Sequence, residues 1–165
     1  VKKLLLIFLF IYLYGCSFIK DKSKEIVNID CPTVFFSSEN NVYLEGNNDQ
    51  IDIENIKYKA VLNNYRFAGE CFSKSNYKNN FTLDLLILVE PINPSNTDIN
   101  LPIFVLFYDS NNELVDRKYF RIQDNLNFTK EISKYENTEV IGNLNIFTEI
   151  EKNINSISIG FVNIN

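Results

Sequence analysis

Histidine, methionine and tryptophan are absent from the 165 residues, and glycine (5), proline (4) and cysteine (3) are scarce. Without histidine there is no Ser-His-Asp triad, no Cys-His dyad and little choice of zinc ligands. No side chain then titrates near neutrality unless its surroundings perturb it. A cationic excess is lacking too: 16 Lys and Arg stand against 21 Asp and Glu, and a net charge of −5 argues against nucleic acid as a partner. No internal repeat is visible, and nothing in the composition implies a cofactor. What is abundant is apolar residues, at 45%, together with 25 Asn and 21 Ile, a bias of the kind AT-rich coding produces. At roughly 100–200 residues per domain, one compact domain is the ceiling.

The first sixteen residues, VKKLLLIFLFIYLYGC, place Lys2 and Lys3 before an apolar run from Leu4 to Tyr14 that ends in Gly15 and Cys16. This is the grammar of a signal peptide, and Val1 is read as an alternative GTG start. Eleven apolar residues, at about 1.5 Å each, fall short of the ~30 Å of hydrocarbon a helix must cross. The competing reading is a transmembrane anchor extended through Phe18 and Ile19. Leu13-Tyr14-Gly15-Cys16 resembles the lipobox of bacterial lipoproteins, with Leu13 and Gly15 as signal-peptidase recognition positions and Cys16 as the acylated residue. Tyr14 departs from the small residue usual before the glycine. The resemblance implies attachment to a lipid bilayer through acylated Cys16, in the cell envelope and facing the periplasm. Ser17 stands where an Asp would favour inner-membrane retention, so the outer membrane is favoured. Residues 1–15 are thus expected to be a lipoprotein signal peptide, 16–30 the lipidated cysteine and a flexible tether, and 31–165 one β-sandwich domain.

With Cys16 acylated, Cys31 and Cys71 remain as a pair in a compartment that permits disulfides. A bridge is the expectation, with buried free thiols and a redox pair as the alternatives. From Cys31 onward, β-branched and aromatic runs are separated by Asn, Asp, Ser and Pro clusters, the punctuation of strands and turns. The spacing predicts strands over Thr33–Ser37, Asn55–Tyr65 with a continuation to Phe72, Asn80–Glu90, Leu101–Tyr108, Glu113–Ile122, Asn127–Ile132 and Ser156–Asn163. In Phe81–Val89 every odd position is apolar, which predicts a continuous inner face. Asp109-Ser110-Asn111-Asn112 reads as a hairpin turn. Glu45–Gln50 reads as a polar turn and Pro91–Asn100 as a crossover between sheets. Leu144, Phe147, Thr148 and Glu151 show helical spacing, so a short helix is expected over Leu144–Lys152. The fold class expected is all-β: an immunoglobulin-like or fibronectin-like antiparallel sandwich of about seven strands.

Several features then occur in a characteristic order. They are Cys31-Pro32, the strand Ile56-x-Tyr58-x-Ala60 leading to Cys71, the strand Phe81–Val89, Leu101-Pro102-x-Phe104-Val105 with the hairpin through Glu113–Phe120, and Gly160-Phe161. In this order the chain resembles a family of small alphaproteobacterial envelope lipoproteins without an assigned activity. It has Glu90, Pro91 and Asn93 where members often carry Arg and Gly. The resemblance implies envelope localisation and a β domain, and it supplies no catalytic residue.

Residues that invite chemistry have plainer readings beside them. Glu45, Asp49, Asp52 and Glu54 offer oxygen to a calcium ion, but without the Gly and terminal Glu of an EF-hand loop they read as a solvated loop. Asp109, Asn111 and Glu113 read as the hairpin turn. Carboxylate pairs serve acid–base chemistry in glycosidases, yet no two here can be placed across a cleft. Asp84, alone in an apolar strand, is explained by facing solvent. Asn80-Phe81-Thr82 and Asn127-Phe128-Thr129 match N-x-[ST], as chance allows among 25 Asn. Lys57, Lys59, Arg66, Lys74 and Lys78 give the middle of the chain a basic bias, read as outward strand positions or as a patch toward lipid headgroups or an acidic partner. Tyr58, Tyr65, Phe67, Phe72 and Tyr77 read mainly as core. The function expected is that of a non-enzymatic envelope lipoprotein presenting loops or an edge strand to another envelope protein. A small-ligand or glycan binding module is the alternative, and a carboxylate-only hydrolase comes third.

Overall fold

The odd positions of Phe81–Val89 can leave water only if a second layer covers them. The computed structural model, which describes residues 26–46, 53–74, 78–92, 97–126, 138–149 and 154–163, supplies that layer. The described residues form ten strands: β1 (Ile26–Asn28), β2 (Thr33–Phe36), β3 (Val42–Gly46), β4 (Ile56–Phe67), β5 (Phe72–Lys74), β6 (Lys78–Pro91), β7 (Thr97–Tyr108), β8 (Leu114–Leu126), β9 (Thr138–Glu149) and β10 (Ser156–Phe161). The first sheet runs β1-β5-β6-β4-β3, with β9 on the opposite edge of β6, and the second runs β2-β10-β7-β8. The fold is an all-β sandwich. One described pairing departs from the antiparallel rule, since β2 and β10 run in the same direction.

Phe81, Leu83, Leu85, Ile87 and Val89 all lie buried on the inner face of β6, as their alternation predicts. Facing them are Ile99, Leu101, Ile103, Val105 and Phe107 of β7 with Ile157, Ile159 and Phe161 of β10. Burying each such side chain contributes about 1.5–3 kcal/mol relative to leaving it exposed. Rings join the layers: Phe81 lies 6.5 Å from Phe107 and Tyr43 lies 5.6 Å from Phe161. The Tyr58 hydroxyl accepts the Asn100 amide at 3.1 Å, so this buried phenol is satisfied from the opposite sheet. The stretch after β6 does change sheets, because β6 ends at Pro91 in one and β7 begins at Thr97 in the other.

The Asp109 turn forms as read. Its carboxylate accepts the amides of Asn111 at 2.9 Å and Glu113 at 3.0 Å, while Asn112 takes the left-handed φ of 59°. The expected helix over Leu144–Lys152 does not form. Through Glu149 this stretch is β9, and residues 150–152 lie outside the described part. Val140, Leu144, Ile146 and Thr148 are buried while Ile141 and Phe147 point outward, so the operative period is two rather than 3.6. Strands also form at β1 and β3, where the sequence reading places a tether and no strand, and the expected strand Asn127–Ile132 lies outside the described residues.

Cys31 and Cys71 form a disulfide across 40 positions, with Cα atoms 5.3 Å apart. The bond ties the entry to β2, in one sheet, to the start of β5, in the other. Replacing both by Ser is expected to cost about 2–4 kcal/mol in urea unfolding; an unchanged midpoint would contradict the bridge's contribution. Gly142 gives a sharper test of the packing between β8 and β9. A Cβ there would sit 2.1 Å from Ile122 Cδ1. Gly142→Ala is expected to cost about 1–3 kcal/mol. Combined with Ile122→Val, which removes that Cδ1, it should cost clearly less than the sum of the two single changes.

Candidate functional site

Pairing between β4 and β6 slips between Leu62 and Asn64. Before the slip the even positions Tyr58, Ala60 and Leu62 face the core. After it Asn64 and Arg66 stand opposite Leu86 and Asp84 on the outward face. The extra residue, Asn63, therefore re-aims Arg66 away from the interior. Arg66 Nε donates to Asp84 Oδ2 at 2.9 Å, and Asn143 Nδ2 of β9 donates to Asp84 Oδ1 at 2.7 Å. Each carboxylate oxygen is thus held from a different flanking strand. The hydrogen bond from Asn143, and then that from Arg66, keeps the Asp84 carboxyl below the usual carboxylate range. Asp84 does point away from the core, but it is not the solvated residue the sequence suggests: it is 8% exposed, because its two neighbours close over it.

Beside this clamp lies an open depression of about 320 Å³ lined by Asn64, Tyr65, Arg66, Leu86, Glu139 and Ile141. Its floor is apolar, and the Arg66 side chain at its rim is 77% exposed. With both oxygens bonded and its ionised form favoured, Asp84 is equipped to hold Arg66 in place and not to exchange protons near neutrality.

The outward face of the second sheet has a different character. Small residues, Ser156, Ser158 and Gly160, line β10 and are buried beneath larger neighbours. Phe104 lies over Gly160, where a Cβ would meet its ring at 2.4 Å, and Phe35 stacks on Tyr108 at 6.2 Å. Next to Phe104, Tyr119 is 64% exposed, flanked along β8 by Arg117 and Arg121.

The other residues singled out by sequence are not gathered into one site. Leu13, Gly15 and Cys16 lie outside the described residues, as do Asp49, Asp52 and Tyr77. Cys31 and Cys71 are bonded to each other, so neither offers a thiol. Glu45 accepts the Tyr43 hydroxyl at 2.7 Å, and Glu54 is exposed. Among the described residues no three His, Cys, Asp or Glu side chains are grouped as metal ligands. Lys59 pairs with Glu90 at 3.8 Å and Arg66 with Asp84; the side chains of Lys74 and Lys78 lie outside the described part. Desolvation pushes the Tyr43 phenol well above its ordinary value and that of Tyr58 up to about 12, so both stay protonated donors. Sequence reasoning misses Asn143 and Ile141, because residues 138–143 are not read as a strand and the spacing over Leu144–Lys152 suggests a helix. It also misses the inversion of β4, for which the Asn63-Asn64 pair inside a strand is the available signal. No protein-family model, no curated protein and no solved structure matches the chain.

The lowered carboxyl of Asp84 gives a pH prediction. Its stabilising contribution is complete above the unfolded carboxyl value of about 3.9 and is lost as pH falls through the lower folded value. Wild type and Asp84→Asn should therefore differ by a constant urea midpoint from pH 7 to pH 5, and the gap should narrow below about pH 4. A gap that stays constant down to pH 2 would refute the ionised clamp.

Proposed function

We propose that this chain is a lipid-anchored module of the bacterial cell envelope, facing the periplasm, which works by contact with another envelope protein as an accessory or assembly factor and catalyses no reaction. The observation that carries the reading is where large apolar side chains remain exposed. On the outward face of the second sheet, exposed Phe35 stacks on Tyr108, which pairs with exposed Leu114, and exposed Tyr119 pairs with Phe104. Single exposed apolar residues are ordinary, but clustered ones on rigid strands mark contact surfaces. The lipobox-like Leu13-Tyr14-Gly15-Cys16, the resemblance to small alphaproteobacterial envelope lipoproteins and a disulfide suited to an oxidising compartment support the same reading. Ser17 favours the outer membrane. A second reading, a module for a small ligand or envelope glycan, is supported by the exposed Tyr119 ring between Arg117 and Arg121, since sugar faces stack on aromatic rings and sugar hydroxyls accept from guanidinium groups.

Growth with an alkyne-tagged fatty acid should label the wild-type chain, and Cys16→Ser should abolish the label while the Cys31/Cys71 double replacement keeps it. Absence of label on wild type would overturn the anchor. A photo-crosslinking residue at position 119 should capture a discrete envelope protein in cells. Capture of glycan in its place would favour the second reading.

A further inference from the structure

Lys59 meets Glu90 at 3.8 Å and Lys118 meets Asp116 at 3.6 Å through Nζ, the one charged atom each lysine has. Arg66 is held differently. Its bond to Asp84 leaves from Nε, the inner nitrogen, and among the described residues its guanidinium makes no other hydrogen bond. The two outer nitrogens therefore remain available, on a side chain that is 77% exposed. Asp84 is not at liberty to take them, because Asn143 holds its other oxygen. Asn64 repeats the device two residues earlier: its Oδ1 accepts the Tyr65 amide at 2.8 Å, which leaves Nδ2 to donate. The extra residue Asn63 is what puts both side chains on the outward face. Beside them Leu86 and Ile141 stand opposite each other and floor the depression of about 320 Å³, with Ile141 65% exposed. That volume lies at the small end of the roughly 300–1,000 Å³ of small-ligand sites.

We propose that this depression binds the carboxyl end of a peptide whose last side chain is apolar. The outer nitrogens of Arg66 donate two parallel hydrogen bonds to the carboxylate, the arrangement in which a guanidinium binds that group best. Asn64 Nδ2 donates to the carbonyl of the preceding peptide group, and the terminal side chain lies over Leu86 and Ile141. The second donor is what selects a peptide end over a plain aliphatic acid, which has a carboxylate but no further acceptor. Because Asp84 already holds the guanidinium, binding does not have to order a long side chain. Asp84 also offsets much of the charge on Arg66, so recognition rests on the direction of the fork more than on attraction at a distance. Glu139, exposed and two residues from Ile141 on β9, repels a second negative group and confines the carboxylate to the Arg66 end. The site lies on the first sheet, away from Tyr119, and goes beyond the contact reading.

The test is an NMR titration of the full chain in detergent micelles with N-acetyl-leucine. Wild type should bind it saturably with a Kd of about 1 mM, shifting the signals of the Asn64 side-chain amide, the Arg66 Nε–H and the Ile141 methyls and leaving those of Tyr119 in place. N-acetyl-leucinamide, which lacks the charge, should bind roughly ten-fold more weakly. Isocaproate, the same acid without the amide group, should bind about three-fold more weakly. Arg66→Lys keeps the charge and loses the fork, and should weaken binding roughly five-fold. Ile141→Ser should weaken it about three-fold, while Lys59→Gln, one exposed cation fewer on the same sheet, changes it by less than about two-fold. Circular dichroism reports whether each variant is folded, and the comparison of the three small molecules on wild type needs no variant. Absence of saturable shifts, equal binding of the acid and its amide, Arg66→Lys binding like wild type, or Lys59→Gln weakening binding as much as Arg66→Lys would each overturn the proposal. Isocaproate binding as tightly as N-acetyl-leucine would overturn it in favour of aliphatic acids. None of these outcomes touches cross-linking from position 119, so the contact reading stands or falls separately.

Discussion

Water is excluded from one face of β6 along Phe81–Val89, and a buried strand must have its backbone bonded on both edges. One edge is supplied by β9 over almost its whole length, from Lys78 to Val89. The other edge is longer than β4 can cover, since β4 reaches only from Pro91 back to Leu83, and β5 takes over from Asn80 to Lys78. Between them the chain steps aside, with the Ala68 amide bonding Thr82 at 2.9 Å and Gly69 at a φ of 108°. Cys71 follows at once, and its bond to Cys31 fixes that step against the second sheet. The break in β4, the position of the disulfide and the course of β9 are therefore consequences of a single long strand that has to be satisfied on two sides.

The two outer faces solve the problem of covering a sheet differently. On the first sheet a polar clamp crosses three strands, from Arg66 through Asp84 to Asn143, and Thr82 Oγ1 meets Asn145 Oδ1 at 3.0 Å two residues along the same pair of strands. On the second, aromatic rings lean over a row of small residues on β10. The first arrangement fixes the direction of a guanidinium; the second packs flat rings over small residues. The reactive-looking groups that are described are committed to structure: the thiols to each other, the Asp109 carboxylate to a turn, and the Tyr58 phenol to a backbone amide.

The layers were legible where period and burial agree. Phe81–Val89 and Leu101–Tyr108 are long enough, and apolar enough, for alternation to specify both strand and facing. The Asp109 turn was legible because Asn and Asp tolerate the backbone it needs. β9 was not, since Gly142 interrupts the buried row Val140–Leu144–Ile146 and the exposed Ile141 and Phe147 give the stretch apolar residues on both sides. Leu144 and Thr148 fit a helix as well as a strand by spacing alone, and only the need of β6 for a second neighbour decides between them. The clamp was illegible for a related reason. Arg66 reaches Asp84 because one extra residue in β4 reverses the facing of everything after it, and a bulge leaves little trace in a pattern of hydrophobicity.

Parallel pairing of β2 with β10 also determines how the fold meets a mechanical load. Thr33 lies opposite Ser156 and Phe36 opposite Ile159, so the chain enters β2 at one end of the pair and leaves β10 at the other. A pull between those ends slides the strands along each other, and their hydrogen bonds resist together instead of unzipping in turn. Cys31, just ahead of β2, diverts part of the same pull through Cys71 into the opposite sheet. Force applied just ahead of β2 and just beyond Phe161 would thus load this pair in shear, with the disulfide beside it.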